Sequence, residues 1–391
     1  MYDDEQLREL MLAVEVPRTS ADIARAKATG RRRARRNRIA IGVVVILAIS
    51  GTTYFALDRT HSNAGQQFQP AQSRTSPVVG CTVEVLEVPA GGRARAVAVD
   101  PAGRTIVGTV YNAQGQGNAV RFEGGRSFPY SGATGSAVAI NADGLLVGYD
   151  DVDQASHTLG WTYRDGTKSM LAKLNGFLYT IPIGVNARGD VVGAAIGDAL
   201  DDTRPVLWPA DKPGTVRQLA VPTGFGERDT IDSRAIGVAD DGTIVGSAHG
   251  APIRWAPDGT PSALPVPPGY RYATVEALRG RYVYGWVNVI DSNRNAAVRW
   301  DLDNDTMKVL EGAPYDVTDG TPDGWTLTSG GDTREPARIT PDGAVELLPL
   351  PQGELPARTG MEVLANAISD DGATIAGATW SDDQRPVIWR C

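Results

Sequence analysis

The chain has 391 residues, of which 42% are hydrophobic and 21% charged, and these ordinary fractions exclude a wholly disordered chain and a polytopic membrane protein. Its 45 glycines and 25 prolines favour many short strands joined by turns. The formal net charge of -8 carries no general signature of nucleic-acid binding, and three histidines with two cysteines are too few for a zinc ribbon or finger.

The first distinctive segment is residues 39–57, which read IAIGVVVILAISGTTYFAL and contain no charged residue. A helix of this length spans about 28 Å, close to the hydrocarbon thickness of a bilayer. Six arginines in residues 31–38 precede it, and such flanks stay on the cytoplasmic side. The sequence therefore predicts a single-pass protein of the bacterial plasma membrane, with a cytoplasmic N-terminus and an extracytoplasmic C-terminal domain.

Two export signals are alternatives to this anchor. A cleaved signal peptide would use residues 39–47 as its apolar core, and the paired arginines could form a twin-arginine signal. The long polar region before the apolar run, and the extension of that run beyond the small-residue motif at 48–50, favour the anchor. Residues 58–79 are rich in Gln, Ser, Ala and Pro and predict a flexible stalk.

Residues 1–38 form the predicted cytoplasmic tail with its basic collar. Leu7, Leu10, Met11 and Val14 have the spacing of one helical face, so we expect a short, partly helical tail. Residues 1–30 are a candidate docking segment for a cytoplasmic regulatory protein, and a tail that only sets the topology is the alternative. The tail, collar and span resemble membrane proteins encoded beside extracytoplasmic-function sigma factors, without the His and Cys pattern of many zinc-binding anti-sigma domains.

The rest of the chain contains seven copies of one motif. They are AVAVDPAGRTIVG (96–108), AVAINADGLLVG (137–148), PIGVNARGDVVG (182–193), AIGVADDGTIVG (235–246), the degenerate VEALRGRYVYG (275–285) and YDVTDGTPDGW (315–325), and ANAISDDGATIAG (365–377). The aligned glycines are Gly108, Gly148, Gly193, Gly246, Gly285, Gly324 and Gly377. Their average spacing of about 45 residues is that of a four-stranded propeller blade.

An aromatic residue ends the third predicted strand of most copies. These positions are Phe122, Trp161, Trp208, Trp255, Trp300 and Trp389, with Ile339 in the sixth copy. Filling of the space between blades explains this pattern better than a ligand cage.

The last copy ends after its third strand, whereas residues 82–89 have the pattern of a fourth strand. We therefore expect this N-terminal strand to complete the last blade and close the ring, which removes exposed sheet edges. Cys81 directly precedes the strand and Cys391 follows the last third strand, so the two are placed to form a disulfide outside the cell. The predicted fold is all-β, a seven-bladed β-propeller over residues 80–391.

The copy AVAINADGLLVG and the strand HTLGW (157–161) resemble the HAF-type extracellular repeat, whose pattern is approximately A-x-x-I-N-x-x-G-x-I-V-G followed by an H-A-F-L-W-like strand. The resemblance covers about residues 82–391. It implies a secreted or surface-anchored β-propeller and carries over no catalytic residue.

Aromatic and arginine residues on predicted loops of one face form the candidate ligand-binding site. They are Tyr149, Phe225, Arg228, Tyr270, Arg271, Tyr272, Trp286 and Trp380. Such a surface suits an envelope protein, a peptide or a glycan. No histidine stands beside a nucleophile motif, so we predict no catalytic residue. Residues 301–305, DLDND, have alternating oxygen ligands that suit calcium but lack the Gly and the distal Glu of an EF-hand loop, so we predict no metal site and keep calcium as the alternative. We predict no cofactor.

The leading prediction of function is a non-catalytic binding, scaffold or sensor module at the cell envelope. The alternative is a surface-anchored propeller hydrolase or lyase that acts on envelope glycans or peptides. That alternative predicts Asp, Glu, Tyr or Arg side chains converging at one central pocket.

Overall fold

The computed structural model describes residues 80–88, 92–151, 158–197, 202–222, 225, 233–290, 294–311, 316–329, 335–351, 362–380 and 384–391. In these ranges the chain forms seven antiparallel sheets of four strands each, so the predicted seven-bladed β-propeller is confirmed. The tail, the apolar segment 39–57 and the stalk 58–79 lie outside the described residues. Within those described, no helix has the length and apolar character needed to cross a membrane.

The strands follow one another with short connections. In chain order they are β1 (Thr82–Val85), β2 (Arg93–Val99), β3 (Ile106–Tyr111), β4 (Gly117–Glu123), β5 (Arg126–Thr134), β6 (Ser136–Ile140), β7 (Leu146–Asp151), β8 (Thr158–Arg164), β9 (Thr167–Met170), β10 (Tyr179–Val185), β11 (Val191–Ile196), β12 (Thr203–Trp208), β13 (Arg217–Gln218), β14 (Ser233–Val238), β15 (Ile244–Ala248), β16 (Ala251–Trp255), β17 (Pro261–Ala263), β18 (Tyr270–Arg279), β19 (Tyr282–Val289), β20 (Asn295–Asp301), β21 (Thr306–Val309), β22 (Val317–Gly320), β23 (Thr326–Thr328), β24 (Ala337–Ile339), β25 (Val345–Leu347), β26 (Glu362–Ile368), β27 (Thr374–Trp380) and β28 (Pro386–Arg390).

Blades 1 to 6 each use four consecutive strands, beginning at β2, β6, β10, β14, β18 and β22. Blade 7 consists of β26, β27 and β28 with β1 at its outer edge. The first strand of every blade contacts the first strands of both neighbouring blades, so these seven strands surround the axis. We call the face with the blade-linking loops and the loops between second and third strands the upper face, and the opposite one the lower face.

The ring closes as the sequence predicts. Strand β1 pairs antiparallel with β28, from Thr82 opposite Arg390 to Val85 opposite Val387. Cys81 and Cys391 form a disulfide that joins positions 310 residues apart. Because β28 runs towards the lower face, both cysteines lie there, and the chain enters the propeller from that side.

The aromatic residues at the ends of the third strands pack between the blades, in agreement with the structural interpretation of their pattern. Trp161, Trp255, Trp300 and Trp389 are fully buried. In four blades the indole N–H donates a hydrogen bond to a carbonyl of the linker that leads into the same blade. These bonds are Trp208 to Ala172 at 2.8 Å, Trp255 to Ala220 at 2.6 Å, Trp300 to Pro265 at 2.8 Å and Trp389 to Pro349 at 2.8 Å.

Each first strand contains a β-bulge, which in six of the seven blades lies next to the repeat glycine. In blade 1 the register shifts between Ala96 and Ala98, and Ala96 pairs with Gly108. A Cβ atom at Gly108 would lie 2.0 Å from the carbonyl oxygen of Arg95, so the close approach requires glycine at this position.

In blade 6 the alignment of Gly324 with the other glycines is wrong. Gly324 lies in the turn between β22 and β23 with a φ of 93°. Thr328 is the residue that pairs with Val317 at the bulge, so it occupies the repeat-glycine position. A turn glycine four residues earlier was mistaken for the missing one.

Candidate functional site: the central channel

The first strands of all seven blades enclose a cavity of about 200 Å³ on the axis of the propeller. The extra residue of each bulge lines this channel, and the seven together form what we call the bulge ring. Blades 1 to 4 contribute an apolar arc, which consists of Val97, Val138, Ile183 and Ile236. Blades 5 to 7 contribute a polar arc, which consists of Glu276, Thr318 and Asn366.

Glu276 is the carboxylate of the polar arc. The indole Nε1 of Trp286 donates a hydrogen bond to its Oε1 atom at 3.1 Å. Burial raises the pKa of Glu276 to about 7, although the Trp286 hydrogen bond and the charge of Arg234 oppose the shift, while Asp316 adds to it. The channel therefore contains an acid whose charge the protein compensates poorly.

The second acid of the channel, Asp319, is fully paired. Arg279 binds it through two hydrogen bonds, Nε to Oδ1 at 2.9 Å and NH2 to Oδ2 at 2.6 Å. The backbone N–H of Ile368 donates to the same Oδ2 at 3.1 Å. The pair thus links blades 5, 6 and 7, and its charges are satisfied within the protein.

Asn366 contributes a further acceptor to the polar arc. Its Nδ2 donates to the carbonyl of Ala96 at 2.8 Å and so joins blade 7 to blade 1. Its Oδ1 is buried and has no hydrogen-bond partner among the described residues. Buried acceptors normally have a donor, so this atom marks incomplete satisfaction of the polar arc.

Arg95 and Tyr149 line the channel on the side of blades 1 and 2. Tyr149 is only 6% exposed, and burial raises its pKa against the opposing charge of Arg95, so the phenol stays neutral. The guanidinium of Arg95 lies 5.8 Å from the ring centroid of Tyr111. This side of the channel is therefore a packed cluster of one cation and two phenols.

The structure brings two of the sequence-predicted site residues to the channel. Tyr149 lines it directly, and Trp286 reaches it through its hydrogen bond to Glu276. Both lie on strands, β7 and β19, rather than on the predicted loops, because these strands extend further towards the upper face than the repeat motif indicates.

The remaining predicted residues do not join this site. Tyr270, Arg271 and Tyr272 lie on β18, where Tyr270 packs against a core cluster shared by blades 4 and 5 and the Nε of Arg271 donates to Asn288 at 3.1 Å. Phe225 packs against the core between blades 3 and 4. Trp380 ends β27, so it too is on a strand rather than a loop. Its side chain, like all of Arg228, lies outside the described residues.

Sequence reasoning missed Glu276, Thr318, Asn366, Arg279 and Asp319. A signal for the first two was present, since both lie in the degenerate fifth and sixth copies. There they occupy the position where copies 1 to 4 have Val97, Val138, Ile183 and Ile236. The positions where the fifth and sixth copies depart from the repeat therefore indicated the site better than the aromatic and arginine residues on the predicted loops.

The described part of the chain contains no group of three or more His, Cys, Asp or Glu side chains that could hold a metal ion. None of the described residues that line the channel is a histidine.

The fold and the channel define a seven-bladed β-propeller, and solved structures share that architecture. An inactive variant of virginiamycin B lyase from Staphylococcus aureus, crystallised with quinupristin, is 14% identical over 80% of this chain and 99% of its own, with a TM-score of 0.54. Oligogalacturonate lyase from Vibrio parahaemolyticus is 8% identical over 79% of this chain and 96% of its own, with a TM-score of 0.57.

A third structure is the extracellular domain of a proposed one-component system from B. thetaiotaomicron. It is 11% identical and has a TM-score of 0.50, over 78% of this chain and 39% of its own. At these identities the likenesses show the fold alone. No protein-family model and no curated protein sequence matches the chain, so the resemblance to the HAF-type repeat stays a prediction.

Proposed function

We propose that this protein is a membrane-anchored, extracytoplasmic binding module whose central channel takes a small ligand without transforming it. The observation that carries the proposal is the division of the bulge ring into an apolar arc and a polar arc around the poorly compensated Glu276. A cavity with apolar walls and a few convergent polar groups is the usual form of a small-molecule site. A sensor or a scaffold at the cell envelope would use such a site.

The sequence and the ring closure support the proposed location. Residues 39–57 and the arginines before them favour an anchor with the propeller outside, and a disulfide fits an oxidising compartment. A cytoplasmic partner that binds residues 1–30 would make the protein a transmembrane sensor.

Two observations favour the enzymatic alternative. Arg, Tyr, Asp and Glu side chains do converge at the central channel, as a surface hydrolase or lyase requires. A carboxyl group whose pKa is about 7 also suits proton transfer. Against this, Arg279 and Asp319 are occupied by each other, and Trp286, which transfers no proton, is the one described residue that is hydrogen-bonded to Glu276.

The channel proposal is tested with the full-length protein in lipid nanodiscs, by ligand-induced thermal stabilisation against a library of fragments with up to about ten non-hydrogen atoms. We expect hits whose stabilisation is lost in Glu276→Gln and kept in Asp143→Asn, an acid-to-amide change in an exposed turn. Hits that survive Glu276→Gln unchanged would place ligand binding elsewhere. Turnover of envelope glycans or peptides that disappears in Glu276→Gln would establish the enzyme instead.

The proposed cytoplasmic partner requires a separate experiment. Tagged protein is purified from detergent-solubilised membranes, beside a variant without residues 1–30, and the associated proteins are identified by mass spectrometry. A cytoplasmic protein that is lost with the tail supports a transmembrane sensor. Identical partners for both forms would show that the tail only sets the topology.

A further inference from the structure

We infer that the ligand of the central channel is a small primary amine, bound as an ammonium ion by Glu276 on the polar arc, with an apolar body against the apolar arc. This inference rests on the proposed function and specifies the chemistry of the same site. Four observations support it: the hydrogen bonding of the acids, the charge balance around Glu276, the apolar arc and the size of the cavity.

The hydrogen bonding leaves one oxygen of Glu276 available in the channel. Among the described residues only Trp286 donates to Glu276, and it uses only one of the two carboxylate oxygens. Asn366 Oδ1 also has no donor among them, but it is buried and does not face a ligand directly. An ammonium group supplies three N–H donors and no acceptor, so it can donate to the remaining Glu276 oxygen.

The charges around Glu276 favour a cation at its carboxylate. Asp319 is neutralised by Arg279, and the two charged residues that act on Glu276, Arg234 and Asp316, have opposite signs. The other cation of the channel, Arg95, lies on the side of blades 1 and 2 with Tyr111 and Tyr149. The negative charge of the half-buried Glu276 therefore remains without a dedicated partner. A bound cation within hydrogen-bond distance would compensate the burial that now disfavours this charge.

The other half of the ring determines the body of the ligand. Val97, Val138, Ile183 and Ile236 offer it no hydrogen bond, so an alkyl group gains from burial there. The cavity of about 200 Å³ is smaller than most ligand pockets, so it suits a body of a few carbon atoms. A branched alkylamine with six non-hydrogen atoms is therefore a suitable probe.

The inference is tested by calorimetry with three probes that share one isobutyl body and differ in the head group. They are 3-methylbutylamine, 3-methylbutanol and 3-methylbutanoate, titrated at pH 8 into the full-length protein in nanodiscs. We expect the amine to bind at least tenfold more tightly than the other two. In Glu276→Gln the amine should lose at least tenfold in affinity, while the affinity for the alcohol changes less than twofold.

Matched variants separate charge from packing. Thr318→Val removes a neutral polar group of the same arc and should lower the amine affinity by less than threefold. Ile236→Asn should weaken binding of the amine and the alcohol alike, because it removes apolar surface. Between pH 6 and pH 8 the amine affinity should rise about tenfold as Glu276 ionises in the presence of Trp286, Arg234 and Asp316, since the amine stays protonated over that range.

The failures of the inference and of the proposed function are distinguishable. Tighter binding of the alcohol or the carboxylate, sensitive to Ile236→Asn, would overturn the ammonium assignment and leave the channel as the binding site. Amine binding that neither Glu276→Gln nor Ile236→Asn affects would overturn both. Absence of binding by all three probes would overturn the assignment to a small amine.

Discussion

Blades 1 to 4 and blades 5 to 7 have the same strand order, and the bulge recurs at the same place in each first strand. The side chains that they place in the channel nevertheless differ. The first four blades present branched apolar side chains, and the last three present Glu276, Thr318 and Asn366. The comparison teaches that the repeat builds the frame of the channel, whereas departures from the repeat provide its chemistry.

The largest expected effect comes from opening the ring, because the two arcs face each other only when it is closed. Cys391→Ser removes a disulfide across 310 residues, and the chain-entropy estimate gives a loss of about 6 kcal/mol in the free energy of unfolding. Urea unfolding followed by tryptophan fluorescence measures it. Reductant should destabilise the wild type similarly and leave the variant unchanged; a wild type that is indifferent to reductant would contradict this role of the disulfide.

A somewhat smaller loss is expected when Asp319, the paired acid of the channel, is replaced. Asp319→Ala leaves Arg279 half-buried without its two hydrogen bonds and Ile368 without an acceptor. We expect a loss of about 3 kcal/mol in unfolding free energy, the usual scale for breaking a buried ion pair. The double variant Asp319→Ala/Arg279→Met should recover part of it, and no recovery would show that the pair does not act as a unit.

Replacing Glu276, in contrast to Asp319, should stabilise the folded protein. The pKa of Glu276 in the folded protein, about 7, lies above the ordinary value of 4.5, so the folded state binds a proton that the unfolded state has released. The free energy of unfolding therefore falls as the pH rises from 4.5 to about 7, because the charged form of Glu276 is disfavoured in the folded state. Glu276→Gln removes this penalty and should stabilise the protein at pH 8 by up to about 3 kcal/mol.

The check is urea unfolding of the wild type and Glu276→Gln at pH 4 and pH 8. The gain from the substitution should be present at pH 8 and absent at pH 4. Asp143→Asn, in an exposed turn, serves as the control and should show no such difference. A variant that is less stable than the wild type at pH 8 would mean that the Glu276 charge is well compensated after all.

The smallest expected effect concerns the tryptophans of the regular blades. Trp255→Phe removes a hydrogen bond of 2.6 Å to Ala220, whereas the indole Nε1 of Trp161 has no partner among the described residues. Trp255→Phe should therefore cost about 1 kcal/mol more than Trp161→Phe. Equal losses in thermal unfolding would show that indole packing alone, without the hydrogen bond, holds the blades together.

The sequence was sufficient for the fold because its signals repeat seven times. The fourth-strand pattern of residues 82–89 predicted the pairing of β1 with β28, and the positions of Cys81 and Cys391 beside these two strands predicted the disulfide. The anchor at 39–57 and the cytoplasmic tail stay predictions, since they lie outside the described residues.

The site was harder to predict because a register shift of a single residue decides whether a side chain faces the axis. The bulge that directs Glu276 into the channel is defined by strand pairing, which the sequence does not show. In the sixth copy, aligning Gly324 with the repeat glycines gave the wrong register. Arg279 reaches Asp319 from the end of β18, where only two residues separate that strand from β19. The sequence prediction selected aromatic and arginine residues on loops, whereas the channel is lined by the first strands, where the fifth and sixth copies depart from the repeat.

The most direct test restores the repeat in the polar arc. Glu276→Val/Thr318→Val gives blades 5 and 6 the side chain that copies 1 and 2 have at this position, and 3-methylbutylamine is titrated into it by calorimetry, with a thermal melt of the same sample. Our account predicts a folded propeller that melts at or above the wild-type temperature and no longer binds the amine. A folded double variant that binds the amine within twofold of the wild type, or one that does not fold, would contradict it.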